Sequence, residues 1–423
     1  MVLKKIVVAH PYQQHSFQTA SAIKNRFGLF KYVTTVYDKK QSFTGVVKMI
    51  FKGDNLKRAG KRKCAYLDDE EVLQFCELES LILLLLYRID KSRILYKRWN
   101  KHILKKYNRK LANYLLKNKV DIVILYDTVC AECIRILKSK QSKTKIIIDM
   151  SAPSLLYMDD WFKKSSKMYP QQSRLLIEEM MTSEYKNQLK TAKYELDNAD
   201  LFFVASEFSK ESLLFSGVNA SRIFICRYGI NIEPMKSTKR VCEKLRIVFI
   251  GNVTQKKGII DFVKIASLLG TAKFEYTVVG VYDPENEIYK QYESTINFLG
   301  YVTHDNVLSV CEQMDIIIFP SLSDGFGLSV IEAMSREVLP IVSINAGVSD
   351  IISHDVNGYL FSPGEVGRVV DICSALEANR DLLREKQIKA FNSVSELKWE
   401  NYYDDIGNAI DSFFDGGVKK VYE

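Results

Sequence analysis

Short apolar segments alternate with amphipathic ones along most of the 423-residue chain, and this alternation restricts the folds that the sequence allows. The apolar segments show no regular polar alternation, which is typical of parallel strands that are buried on both faces. Strands are predicted at residues 5–9, 120–126, 145–149, 199–205, 246–250, 276–280, 298–300, 315–320, 340–344 and 358–361. Helices are predicted at residues 16–27, 209–215, 258–269, 306–313, 328–335 and 349–353. Strands and helices in this order build doubly wound α/β sheets.

A polar stretch at residues 233–241, EPMKSTKRV, interrupts the alternation near the middle of the chain. Because domains average about 150 residues, the length exceeds one ordinary core, and we expect two α/β domains joined at this stretch. The charge changes sign at the same place. Residues 1–240 carry 44 Lys and Arg against 24 Asp and Glu, and residues 241–423 carry 16 against 27. Such an asymmetry often places one half of a chain against nucleic acid, a membrane face or an acidic substrate.

Much of the basic excess lies in residues 39–110, which do not follow the simple alternation. Residues 39–63 hold nine Lys and Arg, and residues 88–110 hold ten. Within residues 93–110 the apolar side chains recur at helical spacing, and basic residues fill the other faces. Two interpretations remain open, a solvated helix packed on its domain and a surface that meets anionic lipid. Nucleic acid is a third, but the sequence contains no recognisable nucleic-acid-binding module.

Eight cysteines are scattered along the chain, and Cys130 and Cys133 form the one suggestive pair. A zinc site would need a second such pair, and a thioredoxin-type site would place the pair after a first strand near the N-terminus. The first residues have too short an apolar stretch for a secretory signal, so we expect free thiols in a reducing compartment. The longest apolar run, residues 81–86, is far shorter than the roughly 20 residues that span a bilayer.

The segment FPSLSDGFGLSVIEAMSREVLPIVS, residues 319–343, concentrates the features of a ligand site. A predicted strand ends there, and Gly325 and Gly327 lead into a helix that begins near Leu328. Ligands of open α/β sheets bind beyond the carboxyl ends of strands, and the N–H groups at a helix start favour phosphate. Asp324 and Glu332 bracket this place, where carboxylates would accept hydrogen bonds from the hydroxyls of a sugar and a ribose. The alternative is a helix-capping Asp and a surface Glu.

A second segment, FIGNVTQKKG at residues 249–258, has the same order of strand, loop and helix. Gly251 lets the chain turn at the strand end, and Lys257 can place an ammonium group on a diphosphate. Both segments follow strands of one predicted sheet, so we expect them to face the same cleft.

These residues resemble the retaining, nucleotide-sugar-dependent glycosyltransferases of family 4, which have the GT-B architecture. The family signature contains Ser, Glu-Gly-Phe-Gly-Leu, Glu-Ala-Met and Pro-Val-Val. Its counterparts here are Ser321, Asp324-Gly325-Phe326-Gly327-Leu328, Glu332-Ala333-Met334 and Pro340-Ile341-Val342. Family-like stretches also occur at residues 198–210, 227–231 and 357–361. The resemblance extends over residues 193–400, about half of the chain, and the earlier residues resemble the family only in layout.

The resemblance implies a GT-B fold of two Rossmann-like domains that face a central cleft. Residues 1–238 would bind the acceptor, residues 239–397 would bind the nucleotide sugar, and a helix in residues 398–423 would pack back on the first domain. The catalytic residues would be Lys257, at the diphosphate, and Asp324, at the sugar hydroxyls. The rest of the donor site would comprise Gly251, Asn252, Ser321, the loop residues Gly325, Phe326, Gly327 and Leu328, Glu332 at the ribose, and Tyr301 and Val302 at the base.

Three features depart from the family pattern. Asp324 replaces the usual Glu and is one methylene shorter, and Asn252 replaces the usual Arg, which removes one charge partner of the phosphates. The usual Gly-Gly loop after the first strand reads HPYQQHS at residues 10–16, and Asp149 stands where the family often has a His. The candidates that the first domain offers to the donor are therefore His15, Gln14 and Asp149, with a structural role for His15 as the alternative.

The resemblance leads us to expect transfer of a sugar, with retention, from a nucleoside diphosphate sugar to a hydroxyl of a glycan or lipid-linked acceptor. No cofactor and no metal would be required. The setting would be bacterial cell-surface polysaccharide or glycolipid assembly, with the protein in the cytoplasm and peripheral on the inner membrane face. The alternatives are a GT-B nucleotide-sugar epimerase and a non-catalytic partner subunit. A nucleic-acid partner is not expected, since the C-terminal half is acidic.

Overall fold

The computed structural model describes residues 4–12, 15–48, 62–232, 242–283 and 287–414. Within these ranges, two parallel sheets carry the fold. The first contains β1 (Ile6–Ala9), β2 (Leu29–Thr34), β3 (Val72–Gln74), β4 (Ile122–Tyr126), β5 (Lys145–Met150), β6 (Leu201–Val204) and β7 (Ile223–Ile225). The second contains β8 (Leu245–Ile250), β9 (Phe274–Val279), β10 (Ile296–Gly300), β11 (Ile316–Phe319), β12 (Leu339–Ser343) and β13 (Tyr359–Phe361). The predicted pair of doubly wound α/β sheets is confirmed.

The strand order is equivalent in the two sheets, β3-β2-β1-β4-β5-β6-β7 in the first and β10-β9-β8-β11-β12-β13 in the second. In each sheet the chain winds outward in one direction and then returns to the other side of the starting strand. The reversal lies between β1 and β4 in the first sheet and between β8 and β11 in the second. A crevice opens beyond the carboxyl ends of the strands at such a reversal, which makes both places candidate ligand sites.

Helices cover both faces of the sheets. Those described before β8 are α1 (Ser16–Phe27), α2 (Phe43–Lys48), α3 (Glu77–Ile89), α4 (Ile94–Lys117), α5 (Ala131–Ser139), α6 (Leu155–Met168), α7 (Arg174–Met181), α8 (Ser183–Asn198) and α9 (Glu207–Phe215). Those described after it are α10 (Ile259–Leu269), α11 (Glu287–Tyr292), α12 (His304–Cys311), α13 (Leu328–Met334), α14 (Val366–Ala378), α15 (Arg380–Ser395) and α16 (Trp399–Phe414). Among these helices, not one combines the length and the apolar character that a bilayer span needs.

The sequence prediction missed three strands and several helices of the first half. β3 and β7 have three residues each and form the two edges of their sheet, and β2 contains a lysine, so none of the three has a long apolar run. Helices α7 and α8 are largely exposed and present only a narrow apolar stripe, and α6 is only partly buried. The helical pattern at residues 93–110 continues to the end of α4, and the helix expected at residues 349–353 is a 3₁₀ turn, Gly347–Ile351. The predicted joint at residues 233–241 lies outside the described residues.

Helix α16 returns from the second sheet to the first and packs against α1. The Tyr402 hydroxyl lies 2.8 Å from the Thr19 hydroxyl, and Arg26 forms an ion pair with Asp411 at 2.6 Å. One buried apolar cluster continues from the first sheet into the second. The two halves are therefore joined by packing as well as by the chain connection.

Helices α6 and α7 make a second crossing between the halves. The Tyr169 hydroxyl donates to Asp261 on α10, and Tyr169 belongs to the buried apolar cluster of the second sheet. The Gln255 amide donates to the hydroxyls of Ser165 and Ser173 at 2.8 and 2.7 Å. The first half thus holds the 3₁₀ turn Gln255–Lys257, which carries a predicted site residue.

Candidate active site

Two loops meet at the carboxyl ends of β8 and β11. Gly258, at the end of the turn Gln255–Lys257, has a φ of +79°. A Cβ atom at this position would lie 1.9 Å from the carbonyl oxygen of Pro320, so the contact requires glycine. The N–H of Leu322 donates to the carbonyl of Lys256 at 3.1 Å. The two segments that the sequence singled out therefore form one packed unit at the reversal of the second sheet.

Lys257 and Asp324 face each other across this unit. Lys257 Nζ lies 2.5 Å from Asp324 Oδ2, and the lysine side chain stays one-third exposed. The other carboxylate oxygen, Oδ1, accepts a hydrogen bond from the Phe326 N–H at 3.2 Å, and the backbone of Asp324 bonds to that of Asn345 at 3.0 Å. The backbone thus fixes the carboxylate, which holds a lysine ammonium at the edge of the cleft. An incoming phosphate oxygen can bond to that ammonium group.

The glycine loop connects this pair to the first sheet. The hydroxyls of Ser206 and Ser209 donate to the Gly325 carbonyl at 2.8 and 3.1 Å. A Cβ atom on Gly325 would lie 2.7 Å from the Ser151 carbonyl oxygen. Gly327, with a φ of +84°, precedes α13 as its N-cap residue. The loop therefore lies directly against the opposite wall of the cleft.

The remaining loop residues differ in exposure. Phe326 is buried and meets the ring of Tyr228 edge-on, with the centroids 5.2 Å apart. Leu328, at the start of α13, is 40% exposed. The aromatic contact across the cleft identifies Phe326 as a packing residue of the interface in this arrangement.

Glu332 of α13 forms a pair that the sequence did not indicate. Its Oε1 lies 2.9 Å from Nε2 of His304, the first residue of α12. Tyr301, three residues before this histidine, is two-thirds exposed, and Val302 packs against the core. The predicted ribose and base positions therefore occupy one region at the edge of the second sheet, with His304 as an additional member.

Three further predicted donor residues lie around the same loops. Gly251 has a φ of +155°. A Cβ atom added to Gly280 would lie 1.9 Å from the Gly251 carbonyl oxygen, so the ends of these two strands pack closely. Asn252 is exposed. Ser321 is fully buried, with its hydroxyl 3.5 Å from the Lys256 carbonyl, so it supports the loop in this arrangement and does not face the cleft.

The opposite wall carries His15 and Asp149, at the carboxyl edge of the first sheet. Their Nε2 and Oδ2 atoms are 2.8 Å apart, and both side chains are buried. The same carboxylate oxygen bonds to the hydroxyls of Thr19 and Tyr402, at 3.0 and 3.1 Å. The His15 ring also packs on Tyr228, with the centroids 4.4 Å apart.

These contacts connect the two walls of the cleft. Tyr228 lies between His15 of the first sheet and Phe326 of the glycine loop. The structure therefore brings His15 and Asp149 together, and the ring of Tyr228 connects them to the glycine loop. Gln14, the third predicted residue of this wall, lies outside the described residues.

Sequence reasoning missed Asp127 and Glu195, which line a cavity of about 240 Å³ beyond β4 and β5. Burial raises the pKa of both carboxyl groups, that of Glu195 to about 7. Asp127 accepts hydrogen bonds from the N–H and hydroxyl of Ser151, both at 2.9 Å, and Glu195 accepts from the N–H groups of Thr128 and Cys130. Asp127 directly follows a predicted strand, and this position could have indicated a residue at the cleft. Glu195 lies in a helix and belongs to no recognisable motif.

The Cys130 and Cys133 pair lies at the start of α5. Both thiols are buried, and burial raises the pKa of each, which keeps them protonated and poor nucleophiles. Across the described ranges, the His, Cys, Asp and Glu side chains form no group of three that could hold a metal ion.

Comparisons with known proteins identify a related sequence family and related folds. Residues 232–392 match the sequence model of the family described as glycosyl transferases group 1. The amylovoran biosynthesis glycosyltransferase AmsK of Erwinia amylovora is 26% identical over 182 residues, 39% of this chain and 44% of the relative. The lipopolysaccharide 1,6-galactosyltransferase of Escherichia coli is 30% identical over 101 residues, 23% of this chain and 27% of the relative. The chain thus spans less than half the length of these curated relatives.

Solved structures match over nearly the whole chain. The structure of TarM has a TM-score of 0.65 at 14% identity and covers 97% of this chain and 99% of that one. The apo lipopolysaccharide outer core galactosyltransferase WaaB has a TM-score of 0.61 at 15% identity, with coverage of 97% and 99%. Anabaena HepE, solved in complex with UDP-glucose, has a TM-score of 0.62 at 12% identity, with coverage of 96% and 99%. Residues 232–392 therefore match the glycosyl transferases group 1 family, and the chain as a whole has the GT-B fold.

Proposed function

We propose that the protein is a retaining glycosyltransferase of family 4 that moves a sugar from a nucleoside diphosphate sugar to a hydroxyl group. The observation that carries this proposal is the Lys257–Asp324 pair at the reversal of the second sheet, opposite His15 and Asp149. The match of residues 232–392 to a glycosyltransferase family supports it. A fold neighbour solved with UDP-glucose supports a nucleotide sugar as the donor.

Lys257 stabilises the leaving diphosphate. In the transition state the bond from the sugar to the phosphate oxygen breaks, and negative charge develops on that oxygen. An ammonium group that is already in place stabilises this charge without reorganisation, and the N–H groups of Gly327 and Leu328 add to it. We propose that these groups act without a divalent cation or other cofactor.

Asp324 exchanges partners when the donor binds. Lys257 turns to the diphosphate, and the Asp324 carboxylate accepts hydrogen bonds from the sugar hydroxyls. Glu332 likewise accepts from the ribose, next to His304, and the base lies against Tyr301 and Val302. The donor therefore replaces an ion pair with two sets of charge-assisted hydrogen bonds.

The acceptor hydroxyl attacks the anomeric carbon from the side on which the diphosphate departs, which retains the configuration. The departing phosphate oxygen takes the proton of the acceptor, so no strong protein base is required. His15 and Asp149 form the wall of the cleft on this side, in the first domain, and they orient the reacting groups. Closure of the cleft positions the acceptor and excludes water.

The acceptor is a glycan or a lipid-linked glycan, in the assembly of a bacterial cell-surface polysaccharide or glycolipid. The relatives named for amylovoran and lipopolysaccharide synthesis support this class. The residues up to 238 form the acceptor domain and residues 239–397 the donor domain. The segment that begins at residue 398 returns to the first domain through α16, Trp399–Phe414. The basic first half suits a protein that acts in the cytoplasm at the inner face of the membrane.

A panel of UDP-, GDP-, ADP- and dTDP-sugars tests the proposal on the purified chain. Because a ligand that binds the native state raises the midpoint of thermal unfolding, one nucleotide class is expected to raise it, and Lys257→Ala is expected to lose that shift. Lys256→Ala is the matched control, since the neighbouring ammonium pairs with Glu179 at 2.6 Å. A chain that binds none of the donors would overturn the proposal. Release of an altered sugar without any acceptor would instead indicate an epimerase.

A further inference from the structure

The hairpin of α3 and α4 carries an exposed apolar ridge that the proposed chemistry does not use. Eight large apolar side chains of the hairpin are between 38% and 63% exposed: Leu78, Ile82, Leu84, Leu85, Tyr87, Ile89, Ile94 and Leu95. They fall within 18 successive positions of the sequence. Leu78, Ile82, Leu85 and Ile89 recur at three- and four-residue spacing and therefore share one face of α3. Soluble monomers rarely expose a large apolar patch without a partner.

The ridge belongs to an ordered part of the fold. Leu83 of α3 and Ile103 and Tyr107 of α4 are buried in the core of the first sheet, so the opposite faces of these helices point outward. The Asp90 carboxylate receives hydrogen bonds from the Ser92 hydroxyl and the Tyr96 N–H at the hairpin turn, at 2.6 and 2.9 Å. The exposed apolar side chains are therefore carried by helices that are anchored in the core of the first sheet.

Cations surround the ridge. Within the described part of the chain, the exposed residues Lys97, Arg98 and Lys101 form no ion pair, whereas Lys106 on the same helix pairs with Glu79. An apolar groove of about 370 Å³, lined in part by Leu95 and Trp99, continues into a basic pocket of about 220 Å³ beside Lys105 and Lys110. The surface thus combines an apolar groove with a row of cationic side chains along one helix.

We propose that this hairpin lies in the headgroup region of an anionic bilayer, with the apolar ridge at the acyl boundary and the α4 cations on the lipid phosphates. This extends the proposed function, on which it rests, by naming the surface that meets the membrane. Amphipathic helices with Lys and Arg beside an apolar face bind such interfaces, and Trp and Tyr favour the headgroup level. A second copy of the chain fits the surface poorly, because the unpaired cations of both copies would meet.

The position of the hairpin also suits a lipid-linked acceptor. The Tyr12 hydroxyl donates to Asn100 on α4 at 2.5 Å, which ties the loop after β1 to the hairpin. The same loop leads to His15 on the cleft wall. A bilayer on the hairpin therefore lies beside the entrance on the acceptor side.

Co-sedimentation with vesicles tests this surface. The purified chain is expected to bind phosphatidylglycerol-containing vesicles at least tenfold more tightly than pure phosphatidylcholine vesicles, and high salt is expected to reduce the difference. The triple variant Lys97→Gln, Arg98→Gln, Lys101→Gln is expected to lose about a hundredfold in binding, since each cation near an anionic surface contributes about a fivefold factor. The double variant Ile82→Gln, Leu85→Gln is expected to lose binding to both vesicle types.

Matched variants control for charge and for exposed apolar area. Lys143→Gln, Lys186→Gln, Lys190→Gln removes three exposed cations elsewhere in the basic half, and Leu175→Gln, Met181→Gln removes apolar side chains of α7. Both are expected to leave vesicle binding unchanged. Equal binding to neutral and anionic vesicles, equal losses in the controls, or self-association through the hairpin in place of vesicle binding would each overturn the proposal.

An activity assay with a water-soluble acceptor separates this inference from the proposed activity. Transfer to a water-soluble acceptor is expected to be the same in the hairpin variants and the unchanged chain. If the chain binds anionic vesicles through the hairpin but transfers no sugar, the activity fails and the membrane surface stands. If it transfers sugar but does not bind anionic vesicles, the proposed activity stands and the membrane surface fails.

Discussion

Lys257 Nζ and Asp324 Oδ2 lie 2.5 Å apart, although 67 residues separate the two in sequence. The pair exists because the loops after β8 and β11 lock together at Gly258 and Pro320. In the proposed reaction the lysine serves the diphosphate and the aspartate serves the sugar. The ion pair is then the resting form of the donor site, in which each group satisfies the charge of the other.

Lys257→Ala and Asp324→Ala are each expected to lower sugar transfer by about a hundredfold to a thousandfold, the usual effect of removing one group that stabilises transition-state charge. Both side chains lie at the edge of the cleft, so the fold is expected to persist. Transfer rates and thermal unfolding midpoints measure the two effects, with Lys256→Ala as the control. Full activity in both variants would remove these residues from the site.

Gly258→Ala tests the packing that creates the pair. The alanine methyl would stand 1.9 Å from the Pro320 carbonyl oxygen at a φ of +79°, so we expect a loss of roughly 3 kcal/mol in the free energy of unfolding, or more. Gly217→Ala is a matched control, because Gly217 ends a helix at a φ of +86° with nothing within 4 Å of an added Cβ atom. It is expected to cost only about 1 kcal/mol. Urea unfolding of both variants measures the difference, and equal losses would contradict a packing role for Gly258.

His15→Gln is expected to slow transfer by about tenfold to a hundredfold with little change in donor affinity, since His15 belongs to the wall of the first domain. Its partner Asp149 keeps the hydrogen bonds from Thr19 and Tyr402 in this variant. Separate measurements of the maximal rate and of the donor dissociation constant distinguish an effect on transfer from an effect on donor binding. His354→Gln in the second domain serves as the control. A variant with normal rate and lower stability would assign His15 a structural role.

The sequence predicted the two sheets because their central strands are short, apolar and buried on both faces, and it located the loops because glycines mark the strand ends. It could not pair Lys257 with Asp324, since their distance depends on how β8 and β11 align in the sheet. The sequence did not indicate His304 either, since its contact with Glu332 depends on how α12 packs on α13. The roles assigned to the donor residues stay predictions.

His304→Gln probes the pair that the structure added. We expect a donor affinity about threefold to tenfold weaker, because the loss of one charge-assisted hydrogen bond leaves the Glu332 carboxylate less well oriented. The rate at saturating donor is expected to stay the same, since His304 does not reach the reacting atoms in the proposed complex. Donor titration of the variant beside Glu332→Gln measures this. If Glu332→Gln binds donor normally, the ribose contact assigned to this residue is wrong.

Glu195 makes the stability of the fold depend on pH. Burial raises its pKa from 4.5 to about 7, so between these values the folded protein keeps a proton that the unfolded chain has released. Stability from this group is therefore present at low pH and is lost as the pH rises toward 7. Each unit of difference in pKa corresponds to about 1.4 kcal/mol, so the free energy of unfolding is expected to fall by about 3 kcal/mol through this group alone.

Glu195→Gln is expected to flatten that dependence, because the amide does not titrate. The Thr128 and Cys130 N–H groups bond to different oxygens of Glu195, so the amide keeps only one of these two acceptors. The variant is therefore expected to be less stable than the unchanged chain near pH 5, and this deficit is expected to shrink as the pH rises to about 7, because only the unchanged chain loses stability through titration of Glu195. Urea unfolding across this range measures the slopes, with the exposed Glu184→Gln as the control on the same helix. Parallel slopes in all three proteins would mean that Glu195 titrates in the fold as it does in the unfolded chain.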